Sequence, residues 1–61
     1  ESKIRVENKD LYVDIKSNSN GVYLKISERN RNMRSTILVP ASGIEKLRDV
    51  LTSALATVNS E

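Results

Sequence analysis

The chain has no cysteine, histidine, tryptophan or phenylalanine, and it has only two tyrosines among its 61 residues. Without cysteine, no disulfide framework or thiolate metal site can support the fold. Without histidine, the commonest metal ligand and the commonest general base are both missing. The core must therefore be aliphatic, and so small a core without covalent or metal support predicts self-association.

Long apolar runs are also absent, since no stretch approaches the ~20 residues that a membrane-spanning helix requires. We therefore expect no membrane partner. The chain starts at Glu1 without a signal peptide, which is typical of a fragment excised from a longer protein. The lack of cysteine is compatible with the cytosol and with the nucleus.

Catalytic chemistry has little support among the residues present. The serines have no histidine to activate them, and no Ser–Lys motif replaces it. Asp14 and Glu28 are candidates for one shared sheet face, but nearby lysines would keep such carboxylates ionised. The acidic residues lack metal-binding spacing, and the glycine-containing turn is not a phosphate loop. We expect no enzymatic activity, metal, cofactor or small-molecule substrate.

Positive charge is concentrated in the first two thirds of the chain. The formal net charge is only +2, which by itself indicates an anionic partner weakly. Residues 1–43 carry eight basic against five acidic side chains, whereas residues 44–61 carry two basic against three acidic ones. The excess therefore lies on the segments that predict a sheet.

Alternation of apolar and polar residues predicts four strands, at about 3–7, 11–17, 22–28 and 35–39. Residues 8–10 form a polar turn between the first two strands, and residues 29–34 predict a basic loop before the fourth. Pro40 ends the fourth strand because it lacks a backbone donor. The strands form a meander, in which Leu38 points outward from the fourth strand.

The second and third strands predict a tight hairpin, because Asn-Gly is a strong turn signal. A two-residue loop at Asn20-Gly21 places Lys16 opposite Lys25. A four-residue loop instead places Lys16 opposite Tyr23, and it pairs aliphatic side chains better across the strands. Both registers keep the same residues on the same face, since they differ by two positions. We favour the second register.

A helix is predicted over about 43–57, starting near Ser42, because Ser42 and Glu45 have the spacing of a capping box. Apolar residues then recur at intervals of three and four and form one stripe. The fold class is therefore α+β with the order ββββα, a four-stranded antiparallel sheet and one C-terminal helix. The residues expected in the core or in a dimer interface are Ile37, Val39, Ile44, Leu47, Val50, Leu51, Ala54 and Leu55.

Both tyrosines lie on the hairpin face that carries lysines rather than aliphatic side chains. Aromatic rings beside cations on an open sheet suit a flexible anionic polymer with stackable rings, which is single-stranded nucleic acid. Lysines and arginines would contact phosphates, and an asparagine a base edge. The candidate nucleic-acid-binding residues are Tyr12, Lys16, Asn18, Tyr23, Lys25, Arg29, Arg31 and Arg34.

Each of these residues also has a purely structural explanation. Tyrosine is common at half-exposed strand positions, and exposed lysines protect a sheet against aggregation. Asn18 is suited to shaping the turn, and the arginine-rich loop is typical of a solvated linker. The shared face of the tyrosines and lysines is what favours binding.

Two blocks of the sequence resemble a known family. The segments Tyr12-Val-Asp-Ile-Lys16 and Gly21-Val-Tyr23-Leu-Lys25-Ile-Ser-Glu28 are similar to the hairpin of the PUR repeat of the Pur-alpha proteins. The segment Thr36-Ile-Leu-Val-Pro40-Ala-Ser-Gly43-Ile-Glu-Lys-Leu47-Arg-Asp-Val-Leu51 is similar to the strand, proline and helix of that repeat. The likeness runs from about Ile4 to Leu55, so residues 1–61 are interpreted as a single PUR-like repeat.

The resemblance implies that two ββββα repeats intertwine into one domain with crossing helices, a topology shared with Whirly proteins. This chain would then form a homodimer or pair with another PUR repeat. The resemblance also implies binding of purine-rich, GGN-type single-stranded DNA and RNA in transcription, replication and RNA transport, in the nucleus and the cytoplasm. The family's hairpin contacts correspond here to Lys16, Asn18, Tyr23 and Lys25.

The hairpin departs from the family pattern at three positions. The stacking aromatic, often phenylalanine, is Tyr23, and two positions that are often basic are Asn20 and Val22. Multi-repeat members use their last repeat mainly to dimerise. The alternative function is therefore a dimerisation module with weak or no nucleic-acid binding of its own. A swapped helix and a simple back-to-back dimer both remain open, because they use the same apolar residues.

Overall fold

The computed structural model of the protein describes residues 1–60, which form four strands and one helix. The strands are β1 (Ser2–Val6), β2 (Lys9–Asn18), β3 (Gly21–Asn30) and β4 (Met33–Pro40), and the helix α1 covers Ala41–Asn59. The strands pair in sequence order, and every pair is antiparallel. The predicted α+β fold of order ββββα is confirmed.

The β2–β3 hairpin adopts the register in which Lys16 lies opposite Tyr23. The strands remain paired out to Asn18 and Gly21, so the turn itself consists of Ser19 and Asn20. Gly21 has a φ of 121°, a conformation that glycine adopts without steric cost. The Asn20 backbone N–H donates to Oδ1 of Asn18 at 2.8 Å. The asparagine side chain therefore shapes the turn, as the structural explanation of Asn18 expects.

The basic loop predicted over residues 29–34 is wrong. Arg29 pairs with Arg34 and Asn30 with Met33, so only Arg31 and Asn32 connect β3 to β4. A φ of 53° at Arg31 reverses the chain in two residues. The turn predicted at residues 8–10 is also displaced, because Glu7 has a φ of 54° and β2 already begins at Lys9.

The predicted capping box of Ser42 and Glu45 does not form. The helix begins at Ala41 with Pro40 in the cap position, and no side chain caps it. Pro40 has φ of −58° and ψ of 155°, which leads the extended chain directly into the helix. Ser42 therefore lies inside the first turn, where its hydroxyl is no longer at the capping position.

The first part of α1 packs on one face of the sheet, which we call the inner face. This face carries Leu24 and Ile26 of β3 and their partners on β4, Val39 and Ile37. Leu24 lines a cleft together with Ile44, Leu47 and Leu51 of the helix. A Cβ at Gly43 would approach Val39 Cγ1 to 3.3 Å, so glycine permits the helix to lie close to β4. Leu24 is the single buried hydrophobic residue among residues 1–60.

Most apolar side chains other than Leu24 are exposed to solvent. Ile37 is 57% exposed, Leu51 59% and Leu55 61%, and the helix contains no buried residue within the described chain. The radius of gyration is 13.4 Å, against about 10.5 Å for a compact chain of this length. Of the residues predicted for the core or a dimer interface, Val39, Ile44 and Leu47 are half-buried, and the others are exposed. One chain therefore does not enclose a core of its own.

Candidate nucleic-acid interface

The outer face of the sheet, opposite the inner face, is polar because of the strand registers. Tyr23 and Lys25 alternate with Leu24 along β3, so they point away from the helix. Their partners on β2 are Lys16 and Asp14, and antiparallel partners share a face. The same pairing brings Lys3, Arg5, Ser27, Thr36 and Leu38 to the outer face.

A groove of about 350 Å³ runs over this face, and we call it the outer groove. Four of its lining side chains are basic and two are acidic, so positive charge predominates along it. Its remaining residues are an aromatic ring and a serine. The full lining consists of Glu1, Tyr12, Asp14, Lys16, Lys25, Ser27, Arg29 and Arg34.

Small side chains form the bottom of the outer groove in the middle of the sheet. Ser27 is only 2% exposed, and its hydroxyl shares a hydrogen bond of 3.1 Å with the hydroxyl of Thr36. Tyr12 lies opposite Ser27, and Lys3 Nζ lies 5.8 Å from the Tyr12 ring centroid. Because the side chains of Ser27 and Thr36 are small, they leave room for a planar group beside the half-buried ring of Tyr12.

A second pocket of about 200 Å³, the hairpin pocket, lies beside Tyr23. Tyr23 is opposite Pro40, and the neighbouring Leu38 is 59% exposed on the outer face. Aliphatic walls next to an aromatic ring favour a desolvated flat ligand. The pocket lining is completed by Asn18, Asn20, Gly21 and Val22.

A third pocket of about 360 Å³, the turn pocket, lies at the opposite end of the sheet. Arg5 Nη1 donates to Asp10 Oδ1 at 3.0 Å, and this hydrogen bond lowers the pKa of the Asp10 carboxyl from its usual value. The complete lining is Arg5, Asn8, Asp10, Arg29, Asn30 and Arg31. Three arginines therefore line the turn pocket, and its one carboxylate is paired with Arg5.

The predicted binding residues are distributed over these three features. Asn18 and Tyr23 line the hairpin pocket, and Arg31 lines the turn pocket. Arg29 belongs to both the outer groove and the turn pocket. The predicted residues that line the outer groove are Tyr12, Lys16, Lys25, Arg29 and Arg34.

The sequence analysis placed Leu38 outward, but it did not predict Lys3, Arg5, Ser27, Leu38 or Pro40 as residues of the candidate site. The alternation of β1 already placed Lys3 and Arg5 opposite its aliphatic residues, and that signal was available. What it lacked was the register that brings them beside Tyr12 and Asp10.

The expectation that Asp14 and Glu28 share a face is wrong. Glu28 is opposite Leu11 and lies on the inner face, where its Oε2 is 2.7 Å from Lys9 Nζ. That hydrogen bond raises the pKa of Lys9. Asp14, opposite Lys25, remains on the outer face.

Residues 1–60 contain no group of three acidic side chains placed to hold a metal ion. Within the same range, α1 is not apolar enough over its length to cross a membrane.

Comparison with known proteins relates the chain to one family. The sequence profile of PurA, described as an ssDNA and RNA-binding protein, matches residues 1–58. Transcription factor Pur-alpha 1 of Arabidopsis thaliana is 51% identical over 47 residues, which are 77% of this chain and 16% of that protein. Transcriptional activator plp-1 of Caenorhabditis elegans is 38% identical over 56 residues, 87% of this chain and 25% of that protein.

A human relative, purine-rich element-binding protein gamma of Homo sapiens, is 46% identical over 39 residues, 64% of this chain and 11% of that protein. The chain thus spans a quarter or less of each of these three relatives. The family profile, in contrast, extends over nearly all of the chain. The resemblance that the hairpin and helix blocks predict is confirmed.

Proposed function

The chain belongs to the PurA family as one PUR repeat, and from that premise we propose that it binds purine-rich single-stranded DNA and RNA across its outer face. The observation that carries this proposal is the outer groove, where the Tyr12 ring lies among four basic side chains. Single-strand binding combines such a cationic track with aromatic rings, because every base has a π-face to stack. The name of the human relative, purine-rich element-binding protein gamma, supports the purine preference.

In this proposal each tyrosine stacks with a different base of the same strand. Tyr12 lies opposite Ser27 of β3, and Tyr23 lies four residues before Ser27 on the same strand. Four strand residues span about 13 Å, which exceeds the ~3.4 Å step between adjacent stacked bases. The nucleic-acid strand therefore passes over Lys25, which lies in the row between the two rings, and over Lys16, which lies opposite Tyr23. Lys16 and Lys25 contact its phosphates there.

The basic residues of the outer groove make the affinity depend on salt. If each of the four neutralises one phosphate of a single strand, log K falls with log salt with a slope of about −3. Arg29 and Arg34 face each other across β3 and β4 and form one cationic end of the groove. Lys16 and Lys25 form the other.

The experiment is a fluorescence anisotropy titration of a labelled GGN-repeat DNA. Tyr23→Ala should weaken binding about 5- to 150-fold, since one stacked base contributes roughly 1–3 kcal/mol. Tyr23→Phe retains the ring and should bind like the unsubstituted chain. Lys16→Ala should lower the salt slope by about one, whereas Lys46→Ala on the exposed side of α1 should lower it less. Unchanged affinity after both Tyr23→Ala and Lys16→Ala would contradict the proposal.

A second proposed function is pairing, in which the inner face and α1 cover those of a second copy or of another PUR repeat. The supporting observation is the exposed aliphatic surface of Ile37, Leu51 and Leu55, because exposed apolar patches mark interaction sites. As the alternative to binding, pairing is the chain's main role and nucleic-acid affinity is negligible at physiological salt. Analytical ultracentrifugation of the chain, combined with the titration above, separates the two. A dimer that binds the oligonucleotide supports both functions, and a dimer that does not bind supports pairing alone.

The wider biological role belongs to the same proposal. Two relatives are named as a transcription factor and a transcriptional activator, so we place the chain in transcription regulation, with replication and RNA handling as further settings. The nucleus follows from transcription, and the cytoplasm is proposed from RNA handling. We propose no enzymatic activity and no cofactor, because the chemistry of the outer face is stacking and charge.

A further inference from the structure

The turn pocket lies at the end of the outer face that is remote from the hairpin. Arg29 lines both this pocket and the outer groove, so the two lie next to each other at this residue. Arg29 is six residues from Tyr23 along β3, a distance of about 20 Å in a strand. A ligand that follows the outer groove away from the hairpin therefore reaches the turn pocket next.

The charge of the turn pocket is suited to an anion. Arg5, Arg29 and Arg31 contribute three positive charges, against one negative charge on Asp10. Asp10 accepts a hydrogen bond from Arg5, and its lowered pKa means that it stays ionised and paired. Two guanidinium groups, those of Arg29 and Arg31, remain in excess. A guanidinium presents a planar fork of donors that matches two oxygens of one phosphate.

The backbone at Arg31 is unusual for its residue type, as that of Glu7 is in the first turn. Its φ of 53° is unfavourable for an arginine, whereas asparagine adopts this conformation more readily. The residues on either side, Asn30 and Asn32, are both asparagines. Strained residues of this kind are found at ligand sites, where the strain holds a group in place. Here the residue with this conformation lines the turn pocket.

We propose that the turn pocket binds one phosphate of the nucleic-acid strand that occupies the outer groove, with Arg31 and Arg29 as its donors. This inference rests on the proposed function, and it adds a distal anchor at the end of the strand path. Its consequence is a length requirement. An oligonucleotide that fills only the hairpin pocket and the near part of the groove does not reach the anchor.

The test is a series of purine-rich DNA oligonucleotides from about 4 to about 16 nucleotides, titrated at several salt concentrations. Arg31→Asn removes the guanidinium and suits the positive φ, and Arg31→Gly is a second variant that tolerates the same backbone. Lys46→Gln removes one charge from α1 and serves as the matched control. Thermal unfolding of each variant checks that the fold is retained.

For the longest oligonucleotides, Arg31→Asn should lower affinity at least about tenfold and reduce the salt slope by about one. For the shortest ones it should behave like Lys46→Gln. The thermal midpoint should not fall, because the strained residue has been replaced. Equal effects of Arg31→Asn and Lys46→Gln at every length would overturn the inference, while the proposed binding in the outer groove would be unaffected. Failure of the unsubstituted chain to bind at any length would instead overturn the proposed function.

Discussion

Both faces of the sheet are exposed to solvent in the single chain, but exposure is unfavourable for the inner face and not for the outer one. Ile37 on the inner face and Leu38 on the outer face are adjacent residues with nearly equal exposure, 57% and 59%. Leu38 lies opposite Lys25 and lines the hairpin pocket beside Tyr23, and a single exposed apolar residue on a largely charged face is normal for a protein surface. Around Ile37 the inner face is aliphatic, and burial would contribute roughly 25 cal/mol per Å². Exposure alone therefore does not identify a binding surface, whereas the chemistry of its neighbours does.

The largest expected effect comes from introducing a charge on each face in turn. Ile37→Asp should weaken pairing by about 3 kcal/mol or more, over 100-fold, because pairing then buries an uncompensated charge. Leu38→Asp is the matched control, and it should leave the association constant nearly unchanged. Sedimentation equilibrium measures both. Equal effects of the two substitutions would show that the inner face is not where copies meet.

A smaller effect is expected from the acidic residues of the outer face. Asp14 lines the outer groove opposite Lys25 and repels phosphate. Asp14→Asn should tighten oligonucleotide binding by about 1 kcal/mol or less at low salt, with the gain disappearing at high salt. Asp49→Asn on α1 removes the same charge away from the groove. Anisotropy titrations should therefore find a gain for Asp14→Asn and almost none for Asp49→Asn.

The smallest effect concerns the Arg5–Asp10 pair. Hydrogen bonding from Arg5 lowers the pKa of Asp10 below its ordinary value of 3.8. The folded state therefore binds this proton less tightly than the unfolded state. The resulting stability is present above pH 3.8 and is lost as the pH falls through the lower folded-state pKa. Urea denaturation across this acidic range should find the unsubstituted chain losing slightly more stability than Asp10→Asn. A variant that loses as much would contradict this role of the pair.

The faces of the sheet were predictable, while the turns and the helix start were not. Strict alternation along β2 and β3 separates Tyr12 and Tyr23 from the aliphatic residues, and any register shift by two preserves that separation. The size of the β3–β4 turn depends on a positive φ at Arg31, which the residue type disfavours. The helix start depends on Pro40, whose geometry takes precedence over the Ser42 and Glu45 pattern.

The make-up of the candidate site was predictable only as far as local sequence determines it. Tyr12, Lys16, Tyr23 and Lys25 share a face because of alternation within one hairpin. The contributions of Lys3 and Arg5 from β1 and of Leu38 and Pro40 from β4 require two further registers, which depend on turn geometry. Lys3, Arg5 and Pro40 were therefore missed, whereas Arg34 of β4 was predicted from its charge.

Stacking of the two tyrosines on bases is tested most directly by intrinsic fluorescence. The chain has no tryptophan, so its emission reports on Tyr12 and Tyr23 alone. Titration with purine-rich single-stranded DNA, followed at once by tyrosine emission and by oligonucleotide anisotropy, should give quenching that tracks the bound fraction. Anisotropy that rises to saturation while tyrosine emission stays constant would contradict the account.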